Sequence, residues 1–195
     1  MSAVPADFIT VVSGLPRSGT SMMMQMLQAG GMPVVADGVR AADTDNPRGY
    51  LELEAVKQLK SDASWLAAAR GHALKVISML LYELPDAYSY RVIFMEREMA
   101  EILASQREML VRRGVPTSEA EDTQMRRHME KHLEKVGAWL AGRPNFQVVR
   151  CGYGELLRNP AEQTRRIRDF LQIALDETAM QRVIDPALHR NRIAT

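Results

Sequence analysis

The stretch Phe8–Leu27, FITVVSGLPRSGTSMMMQML, decides the fold. Its apolar, β-branched start reads as a buried strand over about 8–13. Its Met- and Leu-rich end reads as a helix over about 19–29, stopped by Gly30 and Gly31. Gly14 and Gly19 lie between them with four residues in the gap. That is the spacing of a loop whose backbone N–H groups, with the helix N-terminus behind them, cradle an anion. One position departs from the nucleoside-triphosphate pattern. The Lys expected before the Ser/Thr is Thr20, and the positive charge sits inside the loop at Arg17. Arg17 brings a planar fork of donors suited to phosphate or sulfate oxygens, and Thr20 and Ser21 add hydroxyls. Pro16, Arg17, Ser18, Gly19, Thr20 and Ser21 are therefore the candidate anion-binding residues.

Outward from this loop, strands and helices alternate. Asp37 to Arg48 is polar and reads as a loop, with Asn46–Gly49 as a turn. A helix is expected from near Glu52, carrying Val56 and Leu59. Ala73–Ile77 and Arg91–Glu96 read as strands, and a helix follows with Met99, Ile102, Leu103, Gln106 and Leu110 on one side. Ser118 and Glu121 fit a capping box ahead of a stripe made by Met125, Met129, Leu133, Val136 and Leu140, ended by Gly142. Phe146–Cys151 is another buried-type strand, and Pro160–Leu171 a last long helix with Ile167, Phe170 and Leu171 inward. This pattern predicts a three-layer α/β/α fold of P-loop type around a central parallel sheet.

The chain has 195 residues, so one domain over 1–195 is the simplest expectation. A net charge of +1 gives no general attraction to nucleic acid or an anionic membrane, so any anion site must be local. No apolar run reaches the ~18 residues of a membrane span, and MSAVPADF lacks the basic start and apolar stretch of a signal peptide. Cys151 is the only cysteine, which sets a reducing, cytoplasmic location as the expectation. His128 and His132, four residues apart on a helix, lack a third ligand at metal spacing and read as a solvated face. Met22, Met23, Met24 and Met26 read as core packing.

Two further segments carry chemistry. Arg97 closes the 91–96 strand, and Ser105 lies eight residues on, two turns into the next helix. Eight helical steps return a side chain to within about 80° of its starting face, so one bound group near the strand end meets both. The third segment, CGYGELLRNP from Cys151, follows the last strand.

Together these motifs resemble the sulfotransferases, which move a sulfuryl group from 3′-phosphoadenylyl sulfate (PAPS) to an acceptor. G-x-P-R-S-G-T-[ST] is similar to their phosphosulfate-binding loop. Arg97 and Ser105 match the pair that grips the 3′-phosphate, although Met99 stands where the family often has Pro and Glu98 adds a negative charge. Tyr153, Glu155, Leu156, Leu157 and Pro160 match a stretch whose Tyr lies near the adenine, so Tyr153 is the candidate adenine contact, by stacking or by its hydroxyl. Arg190 and Arg192 match late basic residues that close over the 3′-phosphate, with a solvated tail as the alternative.

Transfer needs a base for the acceptor proton. The His of a Lys-Thr-His motif found in many relatives is absent here, where the sequence reads Lys75-Val76-Ile77-Ser78. Other branches use a Glu after the first helix, and NPRGYLELE supplies Glu52, the candidate base, and Glu54. The resemblance thus implies Glu52, Arg17 and Lys75 as catalytic residues, PAPS as donor, its product 3′-phosphoadenosine 5′-phosphate (PAP), no metal, and a small-molecule or glycan acceptor. A P-loop kinase or NTPase is the alternative enzyme. It would need Lys at position 20 and a strand-end acidic partner for Mg²⁺. A non-catalytic nucleotide-binding protein is the third reading.

Overall fold

The computed structural model of the chain describes residues 7–43, 46 and 48–185. Five parallel strands form one sheet: β1 (Ile9–Gly14), β2 (Val34–Val35), β3 (Ala73–Lys75), β4 (Tyr90–Glu96) and β5 (Phe146–Gly152), in the order β2-β3-β1-β4-β5. The helices are α1 (Thr20–Ala29), α2 (Met99–Arg112), α3 (Glu119–Ala141), α4 (Tyr153–Arg158), α5 (Pro160–Leu171) and α6 (Glu177–Val183). Val11 of β1 stands in register with Leu74 on one side and Val92 on the other.

Because side chains alternate along a strand, the sheet feeds two separate cores. Val11, Val92 and Phe94 pack with Leu66, Leu81, Val136 and Leu140 on one face. Val12, Ile93 and Met95 pack with Met23, Met26, Ile167 and Met180 on the other. The second face is the α1, α5 and α6 layer. On the first face, α3 shares the layer with short 3₁₀ turns at Glu54–Gln58, Ser64–Ala69 and Ser78–Glu83. The α/β/α architecture expected from the sequence is therefore present.

Several local expectations change. The helix expected from Glu52 is only the 3₁₀ turn Glu54–Gln58, and Glu52 lies before it in irregular chain. Asp37 enforces this. Its N–H donates to the Glu52 carbonyl at 3.1 Å, and its carboxylate accepts from the Glu54 N–H at 2.6 Å. The two-residue strand β2 and the short helices α4 and α6 carry too little periodicity to be seen in sequence. α3 has its predicted capping box, yet only Val136 and Leu140 of its stripe are buried. His132 also leaves the solvated face, since its ring meets the buried Ser78 hydroxyl at 2.9 Å and burial lowers its pKa.

The strand order fixes where a ligand belongs. From β1 the chain goes to the edge strand β2, returns to β3 beside β1, and then crosses to β4 and β5 on the other side of β1. Ligands in such sheets bind at this reversal, beyond the carboxyl ends of the strands. The loop after β1 lies there.

Candidate active site

The loop 14–19 is shaped by positive-φ backbone. Gly14 has φ 145°, Gly19 has φ 102°, and Arg17 has φ 72° without being glycine. A Cβ at Gly14 would stand 2.5 Å from the Ser18 Oγ and 2.6 Å from the Met95 carbonyl oxygen. Ser18 is buried, and its hydroxyl donates to the Leu15 carbonyl at 2.7 Å. Its hydroxyl therefore braces the loop from within. Gly19 is the N-cap of α1 and offers no side chain to the first amides of the helix. A helix start without a side-chain cap, beside an arginine, fits an anionic group.

All three sequence motifs meet at this loop. The Arg17 Nε donates to the Ser105 Oγ at 2.8 Å, across 88 residues. Arg97 donates from Nη1 to the Arg17 carbonyl at 3.1 Å and from Nε to the Glu101 carboxylate at 2.8 Å. Its guanidinium lies over the Tyr153 ring, 4.6 Å from the centroid. That ring is itself buried, and a Cβ at Gly19 would stand 2.6 Å from its Cδ2. Glu101, not Glu98, is the carboxylate that pairs with Arg97. Arg97 thus covers one face of the Tyr153 ring.

Glu52 and Lys75 meet on the β3 side of the loop. Lys75, buried at the end of β3, donates to the Glu52 Oε1 at 2.9 Å, the Ser21 Oγ at 3.0 Å and the Tyr50 carbonyl at 3.2 Å. Arg40 holds the other side of the carboxylate, 3.1 Å from Oε2, and lies over the Tyr50 ring at 3.4 Å. Burial alone would raise the Glu52 pKa, but the Lys75 and Arg40 bonds more than offset it and hold the carboxyl below its ordinary value. For Lys75 the balance is reversed. Burial lowers its pKa although Glu52 opposes the shift.

These groups open onto one cavity of about 650 Å³. Pro16, Arg17, Gly19, Thr20, Ser21, Glu52, Lys75, Arg97, Ser105 and Tyr153 all line it. Ser18 does not, and Arg190 and Arg192 lie outside the described residues.

Residues 40–177 match the family described as the sulfotransferase family. The chain belongs to that family. The match covers Glu52, Lys75, the Arg97–Ser105 segment and Tyr153, and begins after the loop. The fold of this sulfotransferase-family chain is similar to the sulfotransferase domain from the Synechococcus PCC 7002 olefin synthase. That pair is 15% identical, covers 97% of this chain and 82% of the other, and has a TM-score of 0.58. It is also similar to retinol dehydratase, solved in complex with androsterone and the inactive cofactor PAP. There the identity is 18%, the coverage 91% of this chain and 63% of the other, and the TM-score 0.51. At these identities the likeness is one of fold. No curated protein matches the sequence.

Sequence reasoning missed some site residues of this family member. Glu101 was legible, because it lies four residues after Arg97, in the first turn of the helix that Arg97 precedes. Arg40 was not, since its place beside Glu52 depends on how the 37–50 loop folds back. Arg112 and Arg113 also line the cavity, a further turn and more along α2 from Ser105. Among the described residues no helix is long and apolar enough to cross a membrane, and no three His, Cys, Asp or Glu side chains gather to hold a metal. Burial raises the Cys151 thiol pKa to about 11, so this cysteine is not poised as a nucleophile.

Proposed function

We propose that this protein transfers a sulfuryl group from PAPS to a hydroxyl or amine acceptor. One observation carries the reading: Arg17, Ser105, Arg97 and Tyr153, from three separate motifs, converge on the uncapped start of α1. Bound there, PAPS would supply the electrophilic sulfur and a phosphate leaving group. Arg17, the amides of residues 17–21 and the hydroxyls of Thr20 and Ser21 hold the phosphosulfate. Arg97 and Ser105 hold the 3′-phosphate, and Tyr153 contacts the adenine.

Glu52 takes the proton of the attacking acceptor as the acceptor–sulfur bond forms and the sulfur–oxygen bond to phosphate breaks. Lys75 links Glu52 to Ser21 on the first turn of α1. It therefore stands between base and leaving group, where a cation stabilises the charge that develops on the bridging oxygen. A carboxylate pinned by two cations is a weak base. Movement of Lys75 toward the phosphate would restore its basicity. A kinase has less support, because Thr20 occupies the lysine place and Glu96, the acid at the end of β4, pairs with Arg150.

Calorimetry with PAP, without metal and against Mg·ATP, tests the reading. Arg17→Ala and Arg97→Ala should each weaken PAP binding roughly 10- to 100-fold, the loss expected for a charge-assisted contact. Glu52→Gln should keep PAP binding and lose transfer. Preference for Mg·ATP, or PAP binding indifferent to both arginines, would reject it.

A further inference from the structure

We infer that Glu101 is a positioning residue for the sulfuryl donor, acting through Arg97, whose guanidinium it holds ready for the 3′-phosphate. The inference rests on the sulfotransferase reading and adds a residue outside the cavity wall. Arg97 lies in the two-residue connection between β4, which ends at Glu96, and α2, which begins at Met99. A long side chain on such a connection has many rotamers open to it. Three contacts remove that freedom. Nε donates to the Glu101 Oε2 at 2.8 Å, Nη1 donates to the Arg17 carbonyl at 3.1 Å, and one flat face covers the Tyr153 ring. A guanidinium has more donors than these bonds use, and Arg97 still lines the cavity. Glu101 is not among the lining residues, so its carboxylate grips Arg97 from behind.

A stabilising role for α2 alone does not account for this placement. An acid in the first turn of a helix favours the dipole even when exposed. Glu101, however, is buried with its partner, the two side chains being 11% and 9% exposed. Burial of a carboxylate is costly unless a cation meets it, and Arg97 is that cation. A guanidinium fixed before the ligand arrives loses less freedom on binding. A carboxylate near the 3′-phosphate also opposes that charge, so the sign of the effect separates two roles. Positioning makes 3′-phosphate binding weaker without Glu101, and plain repulsion makes it tighter.

Calorimetry with PAP and with 5′-AMP, which lacks the 3′-phosphate, tests the inference. Glu101→Ala should weaken PAP roughly 5- to 10-fold and leave AMP within about twofold, which also reports that the variant folds. Glu101→Gln, which keeps an oxygen in reach of Nε, should stay within about threefold for PAP. In an Arg97→Ala background, Glu101→Ala should change PAP binding less than about twofold, because its effect passes through Arg97. PAP binding unchanged or tighter in Glu101→Ala, equal losses of PAP and AMP, or the same loss repeated without Arg97 would overturn the inference. So would a Glu101→Gln variant as poor for PAP as Arg97→Ala, a result that stands even if Glu101→Ala fails to fold. A parent that binds PAP no better than AMP rejects the sulfotransferase reading instead. The NMR signal of the Arg97 Nε–H in nucleotide-free protein then decides the hold by itself: it should exchange slowly in the parent and in Glu101→Gln. Rapid exchange in the parent would show that Glu101 does not fix the guanidinium.

Discussion

Gly19 meets two demands with one missing methyl group. Its φ of 102° is a conformation that side chains avoid, and a Cβ would run into the Tyr153 ring at 2.6 Å. Gly31 offers a control, with φ 93° and nothing within 4 Å of its absent Cβ. Gly31→Ala should cost only the left-handed strain, about 1–2 kcal/mol. Gly19→Ala should cost at least about 1 kcal/mol more. It should also weaken PAP binding, because a displaced Tyr153 moves the Arg97 that lies on it. Urea unfolding and calorimetry on the pair check this; equal losses of stability with PAP binding intact in both would show that the ring contact carries nothing. At this scale the sequence was informative about identity and silent about partners. Arg17 stood out as the displaced charge of the loop. Its bond to Ser105 spans 88 residues and needed the fold.

At the scale of elements, legibility followed length and period. β1, β4, β5, α2, α3 and α5 have runs long enough to show their repeat, and each lies within a few residues of its expected place. α4 and α6 have six and seven residues, about two turns, in which a 3.6-residue repeat cannot be told from chance. Periodicity also says which side of a helix is apolar, not whether anything covers it. The stripe on α3 continues to Met125, which is 39% exposed, while Val136 and Leu140 are buried against the sheet. The front half of α3 therefore relies on its capping box and on the Arg107–Asp122 pair to α2. Local opening should be easier there. Amides of about 122–131 should exchange with deuterium faster than those of 134–141, and Ser118→Ala should widen the gap by about 1 kcal/mol, a typical loss for a cap. Uniform protection along α3 would contradict this account.

For the whole molecule, the sheet order brings the ends of β1, β3 and β4 together, and so places an acidic-pH dependence on the same groups that form the site. The sequence offered Glu52 and Lys75 as separate candidates; the pairing of β2 with β3, and the bond from the Asp37 N–H just past β2 to the Glu52 carbonyl, make them a pair. Glu52 in the fold has a pKa below its ordinary 4.5, so the unfolded chain binds more protons between the two values. Stability from this group is fully present above 4.5 and is lost as pH falls through the folded value. Lys75 acts in the same sense at the other end. Its pKa is held below 10.5, so stability rises as pH climbs from the folded value toward 10.5. Glu52→Gln removes the acid-side contribution and leaves Lys75 charged without its carboxylate. At pH 7 the variant should lose about 2 kcal/mol, less than the ~3–5 of a fully buried broken pair because water reaches Glu52. Its stability should then fall less steeply than the parent's below about pH 4.5. Adding Lys75→Met should recover part of the loss, since the remaining buried charge is removed. Urea unfolding of the parent and both variants across roughly pH 3 to 8 measures all three effects. Parallel curves for parent and Glu52→Gln would mean that the Lys75–Glu52–Arg40 cluster exerts no net hold on the fold, and that Glu52 enters the reaction with an ordinary carboxylate's basicity.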